Sequence, residues 1–461
     1  MNAAAEFLRR SAEKAADLTH RQIIRRNMET YDVAAARGRT RFADWDAARE
    51  RCAAIKHEAI ENLDALLIQF EEKVLSRGGH VFWAENSAEA REYIAKLAGD
   101  RGVKRVVKSK SMVTEEIHLT PALEALGCEV VETDLGEYIV QLRNEPPYHI
   151  VTPAMHLSRV QIGELFREKL EGVTSDEPAE LVAAARRKLR AAFFSAEMGI
   201  SGANFLVADA GMVAISTNEG NGRLCTTLPR IHVVVTGIEK VIPRLRDLAY
   251  LWPVLATAGT GQPITTYSTL IGGPRTAGEI DGPEEFHVVL VDNGRSELLA
   301  DVEQREVLRC IRCGACLNAC PVYKQVGGHT YATTYQGPIG SVLTPHLRGH
   351  DFDHLSYASS LCGNCTSVCP VKIDLHHHLL HNRRNSVQAD QRPPSERLGF
   401  RMWRWMMMSG SRFSQLAKLG KFGARVGKAI GIDPLKPWTS YHAAPELPRR
   451  SFRDLWKDGH V

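Results

Sequence analysis

The sequence has no apolar run that approaches the roughly 18 residues of a membrane-spanning helix. Its first 26 residues mix Glu6, Glu13 and Asp17 with several arginines and contain no apolar segment of the kind found in secretory signals. We therefore expect a cytoplasmic location. Thiols stay reduced in that compartment, so they are free to bind metal.

The usual nucleotide-binding fingerprints are missing as well. No complete G-x-G-x-x-G sequence opens a helix after a strand, and the chain has no Walker A motif. The fragments around Gly220 and Gly259 are too short to identify a site. The sequence therefore carries no fingerprint of a flavin or nicotinamide cofactor.

Length and charge limit the architecture. A chain of 461 residues with 44% hydrophobic and 24% charged residues has the composition of a soluble protein with two or three domains. The net charge of +4 conceals an asymmetry, because residues 383–461 contain 16 Lys and Arg against 6 Asp and Glu. This basic segment could in principle meet nucleic acid, an acidic partner or an anionic membrane surface, or be a solvated helical face. We expect no nucleic-acid partner.

Hydrophobic patterning predicts four regions in sequence. Residues 1–78 are predicted to be mostly helical, with Asp44 capping a segment from Trp45 to about Ser76. Residues 79–295 alternate short apolar runs with helix-like stretches, which is typical of an α/β domain with a mostly parallel sheet. Residues 296–390 predict a helical domain, and residues 391–461 predict a basic helical tail. The predicted strands are His80–Trp83, Val103–Val107, Glu129–Val131, His149–Val151, Phe205–Ala208, Met212–Ser216, Ile231–Val235 and Phe286–Val291, and the other predicted elements are helices at Ser87–Leu97, Thr114–Leu126 and Ser395–Ile430, a hairpin at Asp209–Gly211 inserted in the sheet and a linker at Gln391–Pro394.

Seven of the ten cysteines lie within sixty residues of one another. The first group has the ferredoxin spacing C-x2-C-x2-C-x3-C-P, in which three thiolates bind one cubane cluster and the fourth binds the other cluster. The second group repeats the end of this pattern, C-x2-C-x3-C-P. Zinc sites and disulfides are the alternatives, and this spacing disfavours both. The first group is Cys310, Cys313, Cys316 and Cys320, and the second is Cys362, Cys365 and Cys369.

Alignment of the two groups on their Cys-Pro dipeptides predicts two unequal [4Fe–4S] clusters. Ser359 stands where the first group has Cys310, so the second group lacks one thiolate. The last cysteines exchange between clusters in this kind of fold. One cluster is then predicted to bind Cys310, Cys313, Cys316 and Cys369, and the other to bind Cys320, Cys362 and Cys365.

The fourth iron of the second cluster has three interpretations. Ser359 could ligate it, although an alkoxide is a harder and rarer ligand for iron–sulfur clusters than a thiolate. Water or a group from a partner could bind instead, or the iron could be lost to leave a [3Fe–4S] cluster. We expect a [4Fe–4S] cluster with a labile fourth site, and the spacing leaves the other two possibilities open.

Several other features could have a role. Glycine-containing segments at Val326–Tyr331 and Tyr335–Gly340 could donate backbone N–H groups to cluster sulfurs or simply connect the motifs. His376–His378 and His381 suggest a metal site, but consecutive histidines on a helix point in different directions, so we expect none. The three cysteines outside the motifs are predicted to be buried structural thiols, namely Cys52, Cys128 and Cys225.

Two polar clusters are candidates for a ligand site in the α/β domain. Asn204 and Thr217–Arg223 lie near the end of a predicted strand, which is where α/β sheets bind ligands. Lys108–Ser111 follows another strand and begins a helix, which suits an anion. Each cluster could equally be an ordinary polar loop, and neither contains a convincing nucleophile–base pair.

Together these features resemble the lactate utilization protein B family. The resemblance rests on Thr217–Arg223, Cys310–Tyr323, Gly337–Gly340 and Ser360–Ile373, and it covers essentially the whole chain. It implies a LUD domain of the sugar-phosphate isomerase and CoA-transferase type, then a ferredoxin-type domain with the same division of seven cysteines. It also implies an iron–sulfur subunit of a three-protein system that oxidises L-lactate to pyruvate, with a CCG-motif protein and a second LUD protein as partners.

The leading hypothesis is therefore an electron-transfer subunit that passes electrons from lactate toward a partner or quinone. One alternative is an enzyme in which the incompletely ligated cluster binds a hydroxy acid as a Lewis acid. Another is a regulatory module whose LUD domain senses a carboxylate. In the tail, Phe400, Trp403, Trp405 and Met406–Met408 could dock on a partner or membrane surface, or form an ordinary buried helix face.

Overall fold

The computed structural model describes residues 3–389, 394–429, 436–439, 442–443, 448 and 450–459. The chain divides into two compact units, Met1–Ser386 and Val387–Val461. The first unit contains the α/β sheet and both cysteine motifs.

Four helices open the first unit. Asp44 accepts a hydrogen bond from the backbone N–H of Ala47 and so caps the third helix, as the sequence predicts. The helix predicted to run unbroken to Ser76 is interrupted at Asn62, whose backbone leaves the helical region and whose side-chain amide donates to the Glu58 carbonyl at 2.8 Å. The four helices are α1 Ala3–Ala16, α2 Leu18–Arg39, α3 Trp45–Glu61 and α4 Leu63–Leu75.

The strands form two sheets. The larger sheet has six parallel strands in the order β1-β10-β7-β4-β2-β3, and the smaller sheet has the order β8-β5-β6-β9. In the larger sheet the interior strands β7 and β10 are buried along nearly their whole length and are mostly apolar, as is typical of parallel strands covered on both faces. The strands are β1 His80–Ala84, β2 Arg105–Lys108, β3 Glu129–Glu132, β4 Met198–Ser201, β5 Phe205–Val207, β6 Met212–Thr217, β7 Ile231–Gly237, β8 Val241–Ile242, β9 Tyr267–Ile271 and β10 Glu285–Val291.

Three details of the predicted α/β region are wrong. The Asp209–Gly211 hairpin joins the antiparallel strands β5 and β6, but these belong to the smaller sheet. Residues 149–151 form no strand, because His149 Nδ1 accepts the backbone N–H groups of Val151 and Thr152 that a strand would have to pair elsewhere. The helix predicted over Thr114–Leu126 is broken at His118, where φ is +52°.

Nine helices of residues 87–300 surround these sheets. Three of the strands, β4, β8 and β9, are absent from the sequence prediction. The missed strands are short or contain glycine, serine and threonine, so their apolar pattern is weak. The helices are α5 Ser87–Asp100, α6 Met112–Glu116, α7 Leu119–Glu124, α8 Leu135–Leu142, α9 Arg159–Lys169, α10 Pro178–Ser195, α11 Asn221–Thr227, α12 Leu248–Thr260 and α13 Arg295–Ala300.

The cysteine-bearing region is helical, and no strand follows Val291 in the described part of the chain. Leu317 and Tyr323 of this region share one apolar core with Ile24 of α2 and Leu251 of α12. The cysteine motifs are therefore packed directly against the N-terminal helices and the α/β region. The helices here are α14 Ala315–Ala319, α15 Tyr323–Val326, α16 Gly337–Arg348, α17 Asn364–Val368 and α18 Leu375–Gln388, with 3₁₀ turns at Arg305–Arg309, His329–Tyr331 and His350–Tyr357.

The second unit contains the helices α19 Pro394–Met407, α20 Gly410–Ala429, α21 Lys436–Thr439 and α22 Phe452–Lys457. Pro394 begins α19 instead of ending the predicted linker, whose remaining residues 391–393 lie outside the described residues, as does Ile430. Phe400, Trp403 and Trp405 are each more than half exposed, so they do not form a buried helix face. Within the described residues no helix is long and apolar enough to cross a membrane.

These elements confirm the predicted fold class. The chain combines a mixed α/β region on a parallel sheet with a helical region that bears the cysteine motifs and a helical C-terminal segment.

Candidate metal centre and adjoining cavity

The two cysteine motifs share one backbone conformation. Arg312 and Gly314 have φ of +59° and +80°, and the corresponding Leu361 and Gly363 have φ of +54° and +76°. Each glycine precedes a five-residue helix, α14 or α17, which ends just before the last cysteine of its motif. Two left-handed residues around one cysteine tighten the loop, and glycine adopts this conformation without steric cost. The repeat in the spacing is thus also a repeat in geometry.

The folded chain sorts the seven thiols into two sets. A small cavity of about 20 Å³ is lined by the four cysteines of the first set, one of which comes from the second motif. The remaining three thiols lie close enough for their charges to interact. All ten cysteines are free, without disulfides. The first set is Cys310, Cys313, Cys316 and Cys369, and the second is Cys320, Cys362 and Cys365.

The surroundings of the sulfurs fit an iron–sulfur cluster. Burial raises the pKa of the Cys369 thiol to about 12 and that of Cys365 to about 11, so without metal these thiols stay neutral. Backbone N–H groups already point at the sulfurs, as from Ile373 to Cys369 at 3.3 Å and from Tyr323 to Cys320 at 3.5 Å. Soft thiolate donors with N–H groups directed at them are the usual environment of such clusters.

Cationic side chains surround the four-cysteine set. Arg49 of α3 donates two hydrogen bonds, from Nε and Nη2, to the Cys369 carbonyl at 3.0 and 2.9 Å. Lys56 is 1% exposed and donates to the carbonyls of Glu239 and Val241 at 2.6 and 3.1 Å. Burial lowers the pKa of Lys56 to about 7. Positive charge of this kind favours a cluster that carries net negative charge.

A buried carboxylate balances part of this charge. Glu239 accepts from Arg295 Nε at 2.6 Å and from Arg312 Nη2 at 3.4 Å. Arg295 also pairs with Glu116 at 2.7 Å. The guanidinium of Arg312 lies 4.5 Å from the centre of the Tyr335 ring, which adds a cation–π contact. This network joins the first cysteine loop to the carboxyl end of β7.

The three-cysteine set lies nearer the surface. Cys362 is exposed and Ser359 is half-buried, whereas Cys320 and Cys365 are buried. Ser359 Oγ accepts a hydrogen bond from the backbone N–H of Leu361 at 3.1 Å. A partner protein can therefore approach this set directly.

A cavity of about 240 Å³ opens at the carboxyl ends of the parallel strands β2, β4 and β7. Its wall contains residues from both polar clusters that the sequence singled out, and also Cys313 of the first motif. Ligands bind at this edge of open α/β sheets as a rule. Among the lining residues are Lys110, Asn204, Ser216, Asn221, Lys240 and Arg312.

Sequence reasoning missed Lys240 and Arg312 as members of this cavity. Lys240 comes three residues after β7 and just before the apolar Val241 and Ile242. A lysine between apolar segments is rarely buried without a reason, and this could have marked it as a candidate site residue. Arg312 lies between Cys310 and Cys313, and the cysteine spacing assigns no role to the residues between the sulfur ligands. Conversely, Lys108 is fully buried and pairs with Glu132 at 2.7 Å, away from the cavity wall.

We expected consecutive histidines to point in different directions, and this is wrong for His376 and His377. Ligand atoms of His376, His377 and Asp374 lie within 4.8 Å of one another. Asp374 lies just before α18, and the Nδ1 atoms of the two rings lie 3.0 and 2.5 Å from its two carboxylate oxygens. The group is partly exposed and internally hydrogen-bonded, and His378 is buried elsewhere, so no metal role follows. The prediction of buried thiols outside the motifs is confirmed for Cys52, Cys128 and Cys225.

Comparisons with known families cover most of the chain. A LUD domain matches residues 67–291, a 4Fe-4S dicluster domain matches residues 306–373, and the C-terminal region of lactate utilisation protein B matches residues 376–461.

Whole-chain relatives agree with these domain matches. Lactate utilization protein B of Bacillus thuringiensis (strain Al Hakam) and that of Bacillus anthracis (strain A0248) are each 46% identical over 426 residues, which cover 90% of this chain and 89% of theirs. The solved structure of a DUF162 family protein from Deinococcus radiodurans is 15% identical, covers 50% of this chain and 98% of its own, and has a TM-score of 0.29, too low to support an argument. This chain belongs to the lactate utilization protein B family.

Proposed function

We propose that this protein is the iron–sulfur electron-transfer subunit of a system that oxidises L-lactate to pyruvate and so supports growth on lactate. The observation that carries the proposal is the gathering of seven free thiols into two crossed sets by two motifs whose left-handed residues have nearly equal φ. Membership of a family whose relatives are named for lactate utilization supplies the substrate.

The thiol sets support a ligand assignment. We assign one cluster to the four-cysteine set and the other to the three-cysteine set. Clusters bound there would accept and release single electrons. The proposed ligands are Cys310, Cys313, Cys316 and Cys369 for the first cluster and Cys320, Cys362 and Cys365 for the second.

The chain itself contributes two different environments. It buries Cys313, Cys316 and Cys369 of the first set, and Arg49 and Arg312 beside them supply positive charge. It leaves Cys362 of the second set exposed, so this is the end that a partner subunit can reach. Within the proposal the partners are a CCG-motif protein and a second LUD protein, and contact of the basic tail with a membrane surface or quinone stays a prediction.

Metal analysis tests the cluster assignment. After anaerobic purification, two [4Fe–4S] clusters predict about eight irons per chain, and loss of one iron predicts about seven with an EPR signal in the oxidised state. Cys313→Ala should lower the iron content, whereas the matched variant Cys128→Ala, at a buried thiol outside both motifs, should not. Equal iron content in the two variants would contradict the assignment.

Reconstitution tests the function. The purified protein, combined anaerobically with its two partner subunits, should reduce an electron acceptor when L-lactate is added. Cys313→Ala should abolish this reduction, and Cys128→Ala should preserve it. A complete system that stays inert toward L-lactate would overturn the lactate assignment. Full activity of the Cys313→Ala variant would instead favour the regulatory alternative, in which the clusters are not on the electron path.

The Lewis-acid alternative gains no support from the geometry. In the described residues the cavity at the sheet edge reaches Cys313 of the four-cysteine set, and none of the three-cysteine set lines it. A substrate in that cavity would therefore lie beside the fully ligated site.

A further inference from the structure

The cavity at the sheet edge has the character of a ligand site. It is a concave space of about 240 Å³ whose wall comes from the ends of three parallel strands, the helix α12 and the first cysteine loop. Small-molecule sites are usually such preformed clefts with a few convergent polar groups. Because Cys313 forms part of the wall, a bound molecule would lie next to the four-cysteine set.

Polar groups in the wall lack partners inside the protein. Lys240 is 6% exposed and lines the cavity, and its ammonium has no hydrogen bond within the described residues, although the charges of Glu239 and Cys310 attract it. Arg312 Nη1, Ser216 Oγ and Asn221 Oδ1 are buried atoms that likewise have no hydrogen-bond partner there. Buried polar groups are nearly always satisfied, so three such atoms around one cavity, beside the buried Lys240, indicate that a ligand supplies the partners.

The charges and the hydrogen-bonding types select the class of ligand. Lys240 and Arg312 offer positive charge and N–H donors, which suit a carboxylate. Asn221 Oδ1 only accepts hydrogen bonds, so its partner must donate, as a hydroxyl group does. Asp134 and Glu219 also line the cavity, and their negative charge disfavours a dianion such as phosphate.

We propose that this cavity binds a small 2-hydroxycarboxylate, with its carboxylate at Lys240 and Arg312 and its hydroxyl group at Asn221 and Ser216. The proposal deepens the proposed function, because it names the subunit and the residues that hold the hydroxy acid. It rests on that function only for the choice of lactate as the probe.

Calorimetric titration of the anaerobically purified protein tests the site without any turnover. L-Lactate should bind the wild-type protein at millimolar or lower concentration, and acetate, which lacks the hydroxyl group, should bind more weakly. Lys240→Met, which keeps an unbranched side chain one atom shorter and removes its charge, should weaken L-lactate binding at least about tenfold. Asn221→Leu should weaken L-lactate binding and leave acetate binding unchanged.

The matched control is Lys96→Met. Lys96 pairs with Asp100 on the exposed side of α5 and does not line the cavity, so its variant should bind L-lactate within about threefold of wild type. Thermal unfolding and iron content would verify that both lysine variants fold. A second readout is the EPR spectrum of the reduced protein, which L-lactate should shift in wild type and not in Lys240→Met.

Three results would overturn the site. These are no binding of either carboxylate to wild type, tighter binding of inorganic phosphate than of L-lactate, and equal loss of binding in Lys240→Met and Lys96→Met. Failure of the function is distinguishable, because a protein that binds L-lactate in this cavity while the reconstituted system stays inert keeps the site and loses the electron-transfer role. If instead the reconstituted system is active and L-lactate does not bind this chain, the electron-transfer role is kept and the site is lost.

Discussion

Ser359 makes the same contact in the second cysteine motif as Cys310 makes in the first. Ser359 Oγ accepts the backbone N–H of Leu361 at 3.1 Å, and Cys310 Sγ accepts the backbone N–H of Arg312 at 3.4 Å. The two donor residues have nearly equal positive φ. In the second motif the Ser359 oxygen therefore occupies the position that the Cys310 sulfur has in the first motif.

Replacing Ser359 tests what binds the fourth iron of the second cluster. Ser359→Cys supplies a thiolate at a position already shaped for one, so we expect slower loss of iron in air than in wild type. Ser359→Ala should leave the anaerobic iron content and EPR spectrum unchanged, because we expect a labile ligand there. Ser360→Cys adds a thiol at the neighbouring exposed residue and serves as the control. A loss of iron in Ser359→Ala would instead identify the serine as a ligand.

Arg49 ties the N-terminal helices to the first cluster site. Its guanidinium donates twice to the Cys369 carbonyl, and a lysine can donate only once along that direction. Arg49→Lys should lower the free energy of unfolding by about 1–2 kcal/mol and speed the removal of iron by a chelator. Arg51→Lys is the matched variant, because Arg51 packs over the Tyr250 ring and does not contact the motif. Equal chelation rates in the two variants would show that this contact does not hold the site.

Glu239 should be far more important for stability than a surface carboxylate. Glu239→Gln leaves the buried Arg312 without its carboxylate partner and Arg295 with Glu116 alone, so we expect a loss of about 3–5 kcal/mol in urea unfolding. Glu61 pairs with Arg305 at 3.4 Å on an exposed surface, and Glu61→Gln should cost at most about 1 kcal/mol. Similar losses in the two variants would argue against the buried network.

His232 should make the fold sensitive to acid. It is fully buried in β7, its Nε2 lies 2.8 Å from Ser201 Oγ, and burial lowers its pKa to about 3. Because the folded pKa lies below the unfolded value of about 6.5, its contribution is present above pH 6.5 and is lost as the pH falls toward 3. His232→Gln, which cannot titrate, should lower the slope of stability against pH in that window by up to about 1.4 kcal/mol per pH unit. Parallel curves for variant and wild type would contradict this role.

Much of the α/β region was predictable because its signals are local. Interior strands such as β7 and β10 are rich in valine, isoleucine and leucine, and a parallel sheet buries both faces of such strands. The misjudged segments lack a decisive local signal. His149–Val151 has an apolar pattern but gives its backbone N–H groups to a side chain, and β4 contains glycine and serine.

The ligand cavity was only half predictable. The polar stretches around Asn204 and Lys110 were visible as strand-end clusters, yet nothing in the sequence placed them on one cavity wall. Lys240 and Arg312 belong to other segments, and their role depends on the packing of the first cysteine loop against the end of β7. Contacts between segments so far apart in sequence leave no periodic pattern.

The sequence by itself determined the chemistry of the metal centre. Cysteine spacing of two and three residues dictates how far apart thiols on one tight loop can lie, and it also shows which thiol is replaced by Ser359. Only the tertiary structure decided where that centre lies. Its apolar core joins the cysteine helices to α2 and α12, which buries the four-cysteine set beside the cavity and leaves Cys362 exposed. Burial and proximity between distant segments arise from packing, and spacing along the chain does not encode them.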